Sequence, residues 1–326
     1  MDGVRAAIYR KTGPARDVLE LVELDVPDPR AGEVRVAISA SGVNHTDWKA
    51  RTGLTGRAPD DFQVPHHDGA GRVDAIGPGV TGLAVGQRVW LYLAAADNPY
   101  GTAAEFAVVP AHKVVPLPDN ASDELGAGLG VPALTAAYCL GGDPSAVQGR
   151  TVLVAGGAGA VGHFAIELAK HAGAHVITTV SSEEKGELAR AAGADLVLNY
   201  REENVAERIL TSAGRVDRIV EVALGANIDT DAAVLAPNAV IAVYAGESEQ
   251  PRIPILPLAV ANSSIQFALM YTVSAAEFAR VVSWTNAAIE ADALSALPFS
   301  DYGLSDVVAA QEAVEKGAIG KVLVRP

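Results

Sequence analysis

The chain has 326 residues, 49% of them apolar and 20% charged, with a formal net charge of −14. Such a length sets a prior of about two domains, and the composition is that of a globular protein with a sizeable core. The acidic balance disfavours nucleic acid and anionic membrane surfaces as partners, because both call for clustered Lys and Arg. A single cysteine, Cys139, excludes an internal disulfide and a cysteine-rich zinc lobe. The opening stretch MDGVRAAIYRK holds no apolar signal core. The most apolar later stretch, ILPLAVANSSIQFALMY, is interrupted by Pro257, Asn262, two serines and Gln266, so no membrane span is expected. The expectation is a reduced, cytoplasmic, enzyme-sized protein.

Residues 1–120 read as strands. EVRVAISASG alternates Val34, Val36, Ile38 and Ala40, the period of a half-buried strand. AGRVDAIG, GQRVWLY, AAEFAVVP and HKVVPLP follow, separated by Gly and Pro punctuation. They predict a compact β domain, barrel-like rather than parallel. SDELGAGLGVPALTAAYCL, residues 122–140, reads as helical, with Cys139 a small core residue near its end. From residue 151 strand and helix alternate. TVLVAG is a buried strand, AVGHFAIELAKHAG an amphipathic helix closed by Gly173, HVITTV the next strand and SEEKGELARAAG the next helix. DLVLNY, VAERILTSAG, VDRIVEV, IDTDAAVLAP and AVIAVYAG continue the pattern, which calls for a doubly wound parallel sheet. SAAE, residues 274–277, has capping-box spacing before a long helix. SDVVAAQEAVEKGAIGKVLVRP predicts a helix and a last strand that returns to the first domain. The expected fold class is α/β: a β-barrel-type domain from residues 1–121 and 292–326, and a doubly wound domain from 122–291.

After the first strand of the second domain, Gly157, Gly159 and Gly162 form G-x-G-x-x-G, with Ala160 and Val161 between the last two. The motif follows a predicted strand and opens a predicted helix, the context in which it marks a dinucleotide site. One glycine serves a tight turn, one the close approach of backbone to pyrophosphate, and one the packing of helix on strand. The helix N-terminus then presents free N–H groups to the phosphates. An NAD-specific site places Asp or Glu about twenty residues on. The position falls near Val180 or Ser181, and neither is acidic. Ser181, Ser182 and Lys185 instead offer hydroxyls and a positive charge that suit a 2′-phosphate, which points to NADPH. Glu183 and Glu184 are neighbours that a helix can turn away, and the competing reading of Lys185 is a solvated surface lysine.

In these motifs the chain resembles the medium-chain dehydrogenase/reductase superfamily, and within it the zinc-free quinone oxidoreductases. GEVRVAISASGVNHTD, VPHHDGAG, GVTGLAVGQRVW, LGVPALTAAY, AGGAGAVG, VLNYREE and the closing GKVLV occur in the family's order over the whole chain. The resemblance implies a GroES-like catalytic domain made from both ends of the chain, a Rossmann NADPH-binding domain, and an active site in the cleft between them. It also implies that Asn44 stands where zinc-dependent relatives carry a Cys ligand, and that His67 and Asp68 match their His-Glu pair. Their third ligand position falls near Leu129 and Gly130, neither of which binds a metal. A catalytic zinc takes three protein ligands, so no metal is expected.

By the same resemblance Thr135 lies at the nicotinamide end and Tyr200 beside the adenosine 2′-phosphate, while Asn44, Gly246 and Lys321 line the cofactor. NHTD departs from the usual Asn-Pro-x-Asp and keeps the tail of the zinc alcohol dehydrogenases. On that geometry Thr46 faces the substrate and Asp47 orients His67, a candidate acid. The competing reading makes His67 a hydrogen-bonded lining residue and Asp47 a helix capper, with protons taken from solvent. His66, at a glycine position of the family, is expected to be exposed. Asp68 needs a partner, with His67, Arg51 and a backbone donor as candidates. The substrate is expected to be a small molecule, a quinone or another electron-poor conjugated carbonyl. The alternatives are an enoyl or 2-alkenal double-bond reductase and a non-catalytic NADPH-binding protein. SSIQFALMY, residues 263–271, reads as an apolar edge strand of the Rossmann sheet and predicts a homodimer joined there.

Overall fold

The computed structural model describes residues 3–25, 27–246 and 250–326. It divides into two compact units, Met1–Val131 with Ala296–Pro326, and Pro132–Ser295. The first division falls inside the helix Asp123–Cys139, at Pro132, and the second after Ser295 rather than after residue 291. Proline has no N–H to give the helical ladder, so the helix is interruptible there.

The first unit is built on a seven-stranded sheet. Its path runs Phe299–Gly303, Lys321–Arg325, Glu33–Val43, Asp68–Ile76, Arg88–Leu91, Val114–Pro116, with Phe106–Pro110 also paired to Glu33–Val43. Only the first pair is parallel. Glu33–Val43 is the organising strand. Its residues 33–37 pair with Phe106–Pro110 and its residues 41–43 with the last strand of the chain, so the C-terminus does return to this unit. The expected alternation is borne out: Val34, Val36, Ile38 and Ala40 are buried, the first three against Val73, Val89, Leu91 and Val109. A Cβ at Gly42 would lie 1.9 Å from the carbonyl oxygen of Ala127. Glycine there lets the strand touch the helix backbone just before Asn44.

The second unit carries a six-stranded parallel sheet in the order Leu196–Asn199, His175–Val180, Thr151–Ala155, Val216–Glu221, Leu235–Val243, Ser264–Phe267. This is the Rossmann order, with its reversal between Thr151–Ala155 and Val216–Glu221. Leu153, Ile177, Leu198, Ile219 and Ile241 contribute to its core. The helix Ala160–His171 is buried from Gly162 to Ala169, more than one face. On its outer side Ser295 accepts from His163 at its carbonyl oxygen and donates its amide and hydroxyl to Glu167. Ser274 caps the long helix Ala275–Glu290 by accepting from the Glu277 amide. Among the described residues no helix is long and apolar enough to cross a membrane.

Candidate functional site

In the second unit the strand Thr151–Ala155 runs into the glycine turn, and each glycine has its own reason. Gly156 takes the left-handed conformation, φ +72°. It is the tight-turn glycine, and the motif spacing had pointed past it. A Cβ at Gly157 would meet Thr178 Oγ1 at 2.1 Å, and one at Gly162 would meet the Gly156 carbonyl oxygen at 2.3 Å. Both are close-packing positions. A Cβ at Gly159 would meet nothing nearer than the Gly156 oxygen at 3.3 Å. Gly159 is the N-cap of Ala160–His171. The first-turn N–H groups at Ala160, Val161 and Gly162 have no helical acceptors, and without a side chain at Gly159 an anion can approach them closely.

The carboxyl end of His175–Val180 lies beside this turn, since Gly157 N donates to the Thr179 oxygen at 3.2 Å. Here the structure gathers Ser181, Ser182, Lys185 and Tyr200. Ser182 caps the next helix, and Lys185 Nζ donates to Ser181 Oγ at 3.2 Å. Glu183 is drawn along its own helix to Arg190 at 2.7 Å. Tyr200 donates its amide to the Val180 oxygen and keeps a side chain 53% exposed. Gly246 is exposed beyond the end of Leu235–Val243, and Thr135 is buried on the helix Asp123–Cys139. The glycine turn, hydroxyls and ammonium fit a phosphorylated dinucleotide.

Sequence reasoning missed one feature of this unit. Glu221 ends its strand and is fully buried beside Asp231, on the following helix. Glu221 Oε1 accepts from the Ala223 amide and from Asn227 Nδ2. Burial and the like charge of Glu221 push Asp231 up to about 9, so the pair retains a proton at neutral pH. An acid closing an otherwise apolar strand, VDRIVEV, was the available signal.

The first unit gathers a different set around Asn44, the N-cap of the helix His45–Arg51. Asn44 Nδ2 donates to Asp68 Oδ2 at 2.7 Å, and Asn44 Oδ1 accepts from Lys321 Nζ at 2.7 Å. Lys321 Nζ lies 3.6 Å from Asp68 Oδ2. Asp68 Oδ1 accepts from the Val131 amide at 2.8 Å. Asp47 Oδ2 accepts from the Asn44 amide at 2.6 Å, the reach-back of a helix-capping acid. Thr46 is half-buried. Burial lowers Lys321 while Asp68 and Asp47 hold it up, and burial raises Asp68 against the pull of Lys321.

Several expectations change here. His67 Nε2 lies 3.9 Å from Asp47 Oδ1, and burial shifts the two groups in opposite directions. Burial, with Lys113, holds His67 down at about 3, while burial and the like charge of Asp68 push Asp47 up to about 8. His67 is therefore a neutral imidazole at pH 7, not an imidazolium acid. His66 is fully buried rather than exposed. Arg51 is not a partner of Asp68: it is buried against Gly13, Gln311 and Glu315. Of the donors considered for Asp68 the backbone one is present, and Asn44 and Lys321 join it.

Residues 30–119 match the family described as alcohol dehydrogenase GroES-like domain, and residues 160–287 the one described as zinc-binding dehydrogenase. The chain is 30% identical to the quinone oxidoreductase of Rattus norvegicus over 321 residues, which are 97% of this chain and 95% of that protein. It is 36% identical over 225 residues to the 2-haloacrylate reductase of Burkholderia sp, 66% of this chain and 65% of that one. A mycobacterial structure complexed with NADPH matches at 31% identity with a TM-score of 0.85, covering 99% of this chain and 100% of that chain. The zinc that the second description implies does not fit the residues present. The Asn44 amide is engaged at both ends, and a Cβ at Gly130 would lie 2.2 Å from Asp68 Oδ1, so that position takes no ligand side chain. Among the described residues no group of three or more His, Cys, Asp or Glu could hold a metal ion.

Proposed function

Because the chain belongs to the quinone oxidoreductase family of the medium-chain dehydrogenase/reductase superfamily, we propose that it is an NADPH-dependent reductase of quinones or other electron-poor conjugated carbonyls, acting without zinc. The observation that carries the cofactor is the helix end left without a side chain at Gly159, joined to the Ser181–Lys185 pair. Gly157, Gly159, Ala160, Val161 and Gly162 hold the pyrophosphate by their turn and helix end. Ser181, Ser182, Lys185 and Tyr200 hold the 2′-phosphate, and Thr135, Gly246 and Lys321 belong to the segments that line the rest. Bound NADPH supplies the hydride. Reduction of a quinone to the hydroquinone then takes one proton at the oxygen that receives the negative charge. A neutral His67 does not stock that proton, so it is assigned to solvent. Asn44, oriented by Lys321 and Asp68, and the half-buried Thr46 are the polar groups set to orient the acceptor. Alcohol oxidation asks for a metal to stabilise an alkoxide, and the residues do not provide one.

The likeness to the 2-haloacrylate reductase favours a second reading, reduction of an activated C=C bond. NADPH oxidation measured against a quinone panel and a panel of enones and haloacrylates separates the two. Turnover of neither refutes both and leaves a non-catalytic NADPH-binding protein. One zinc per chain by elemental analysis refutes the zinc-free part.

A cytoplasmic site of action is part of the proposal, supported by the single buried thiol of Cys139. So is a homodimer. Ser264–Phe267 pairs on one side with Leu235–Val243. Around it Ile255, Leu256, Val260, Phe267 and Leu269 are exposed, and an apolar edge of this kind is a ready template for a second copy. A monomeric mass at micromolar concentration refutes it.

A further inference from the structure

His66 sits in the left-handed region, φ +75°, with its imidazole fully buried. Both ring nitrogens are engaged: Nδ1 lies 2.8 Å from Ser41 Oγ and Nε2 lies 3.2 Å from Gln311 Nε2. The direction of these bonds follows from their far end. Arg51 Nε reaches Gln311 Oε1 at 2.6 Å, and a guanidinium can only donate. Gln311 is therefore fixed with its oxygen toward Arg51 and its NH₂ toward His66. Nε2 of His66 must accept, which puts the ring proton on Nδ1. Nδ1–H donates to Ser41 Oγ. Ser41 lies 2.7 Å from Thr102 Oγ1, and Thr102 Oγ1 donates to the Asp68 carbonyl oxygen at 2.6 Å. Since the Thr102 proton is spent there, the Ser41 hydroxyl donates to Thr102. All five hydrogen bonds run one way, from the Arg51 guanidinium to the backbone of Asp68.

We propose that His66 is a positioning residue for the reductase reaction, a single-tautomer link that fixes the His67–Asp68 step and thereby the Asp68 carboxylate that orients Asn44. The inference rests on the reductase reading above for its effect on turnover, while the tautomer itself does not. Thr102 grips the backbone on both sides of His67: its hydroxyl donates to the Asp68 carbonyl oxygen at 2.6 Å and its amide to the His66 carbonyl oxygen at 3.0 Å. Nearby charge does not compete for the ring. Lys321 and His67 are the groups that act on it electrostatically, and both disfavour a second ring proton.

The test is ¹⁵N NMR of the histidine-labelled full chain at pH 7, read without substrate. His66 is expected to show a protonated Nδ1 and a bare Nε2; an Nε2–H tautomer overturns the proposal whatever the protein reduces. Gln311→Glu keeps the Arg51 contact but turns an acceptor toward His66, so a proton should appear on Nε2. The quinone kcat should then fall about tenfold while NADPH affinity stays within twofold. A switched ring with unchanged kcat also overturns the proposal. Ser41→Ala cuts the chain on the other side and should give the same loss in kcat, which keeps the test alive where Gln311→Glu does not fold. If the unaltered protein turns over no acceptor, the reductase reading fails separately. The Asn44 side-chain amide resonances then report the position: unmoved in both variants, they refute the link.

Discussion

Gly162→Ala and Gly159→Ala test the glycine turn from opposite directions. The Cβ at residue 162 would sit 2.3 Å from the Gly156 oxygen, and the helix end must recede by roughly 1 Å to reach ordinary contact. Overpacking of this kind costs about 1–3 kcal/mol. Alanine's better helix propensity offsets up to about 1 kcal/mol of that. A net loss of about 1–2 kcal/mol lowers Tm by roughly 2–8 °C in a domain of this size. Gly159 has φ −78° and ψ 161°, open to any residue, and its nearest neighbour would be 3.3 Å away. Gly159→Ala should therefore stay within about 1 kcal/mol of the parent. Its methyl occupies the face assigned to the pyrophosphate, so NADPH should weaken at least about tenfold. At a hundred times the parent Kd, bound NADPH stabilises by about 2.7 kcal/mol, and a tenfold weaker site by only about 1.4. Thermal unfolding with and without NADPH reads both effects. Refutation comes from a Gly162→Ala protein that melts like the parent, or a Gly159→Ala protein that keeps the full NADPH shift.

The Glu221–Asp231 pair predicts a pH-dependent stability. Asp231's folded value, about 9, lies above its ordinary 3.8. The native state therefore holds a proton the unfolded chain releases, and stability is full below about 4 and lost as pH rises toward about 9. The slope is up to about 1.4 kcal/mol per pH unit, and urea unfolding at pH 6 and 8 should find a shallower slope in Asp231→Asn; equal slopes contradict the shared proton. Lys185→Ala should weaken NADPH at least tenfold, about 1.4 kcal/mol, and leave NADH unchanged; titration with both cofactors decides, and equal losses return Lys185 to the solvated surface. His67→Asn should reduce turnover severalfold at most, because a neutral imidazole is no acid at pH 7. A loss near 10²-fold, with the alkaline limb of the pH profile gone, would restore His67 as the proton donor.

The Rossmann unit was legible because its signals are local. The inner strands are largely apolar, Ser182, Asn204 and Ser274 cap their helices, and the order of alternation dictates a parallel sheet. The barrel-like unit was legible strand by strand through the Val34–Ala40 alternation. The division at Pro132 was not, because a helix shared by two units carries no change of texture at the break. The glycine motif named Gly157, Gly159 and Gly162, yet the left-handed turn is at Gly156, which the spacing pattern does not include.

The opening between sequence and structure is widest at His66–Asp68. HHD by itself does not say what the two imidazoles and the carboxylate meet. What each meets is decided far along the chain. Gln311, 245 residues from His66, donates to its Nε2 and is itself held by Arg51, 260 residues from Gln311, while Ser41 accepts from Nδ1, so that the histidine buried at a positive φ has both ring nitrogens paired. Without them an imidazole at that position belongs at the surface. Lys321 arrives from 277 residues beyond Asn44, and its ammonium is what makes two buried carboxyls and an amide a stable cluster rather than an uncompensated charge. The same long-range burial holds the His67 imidazole down and pushes the Asp47 carboxyl up, against the roles that the residue types suggest when read in a row.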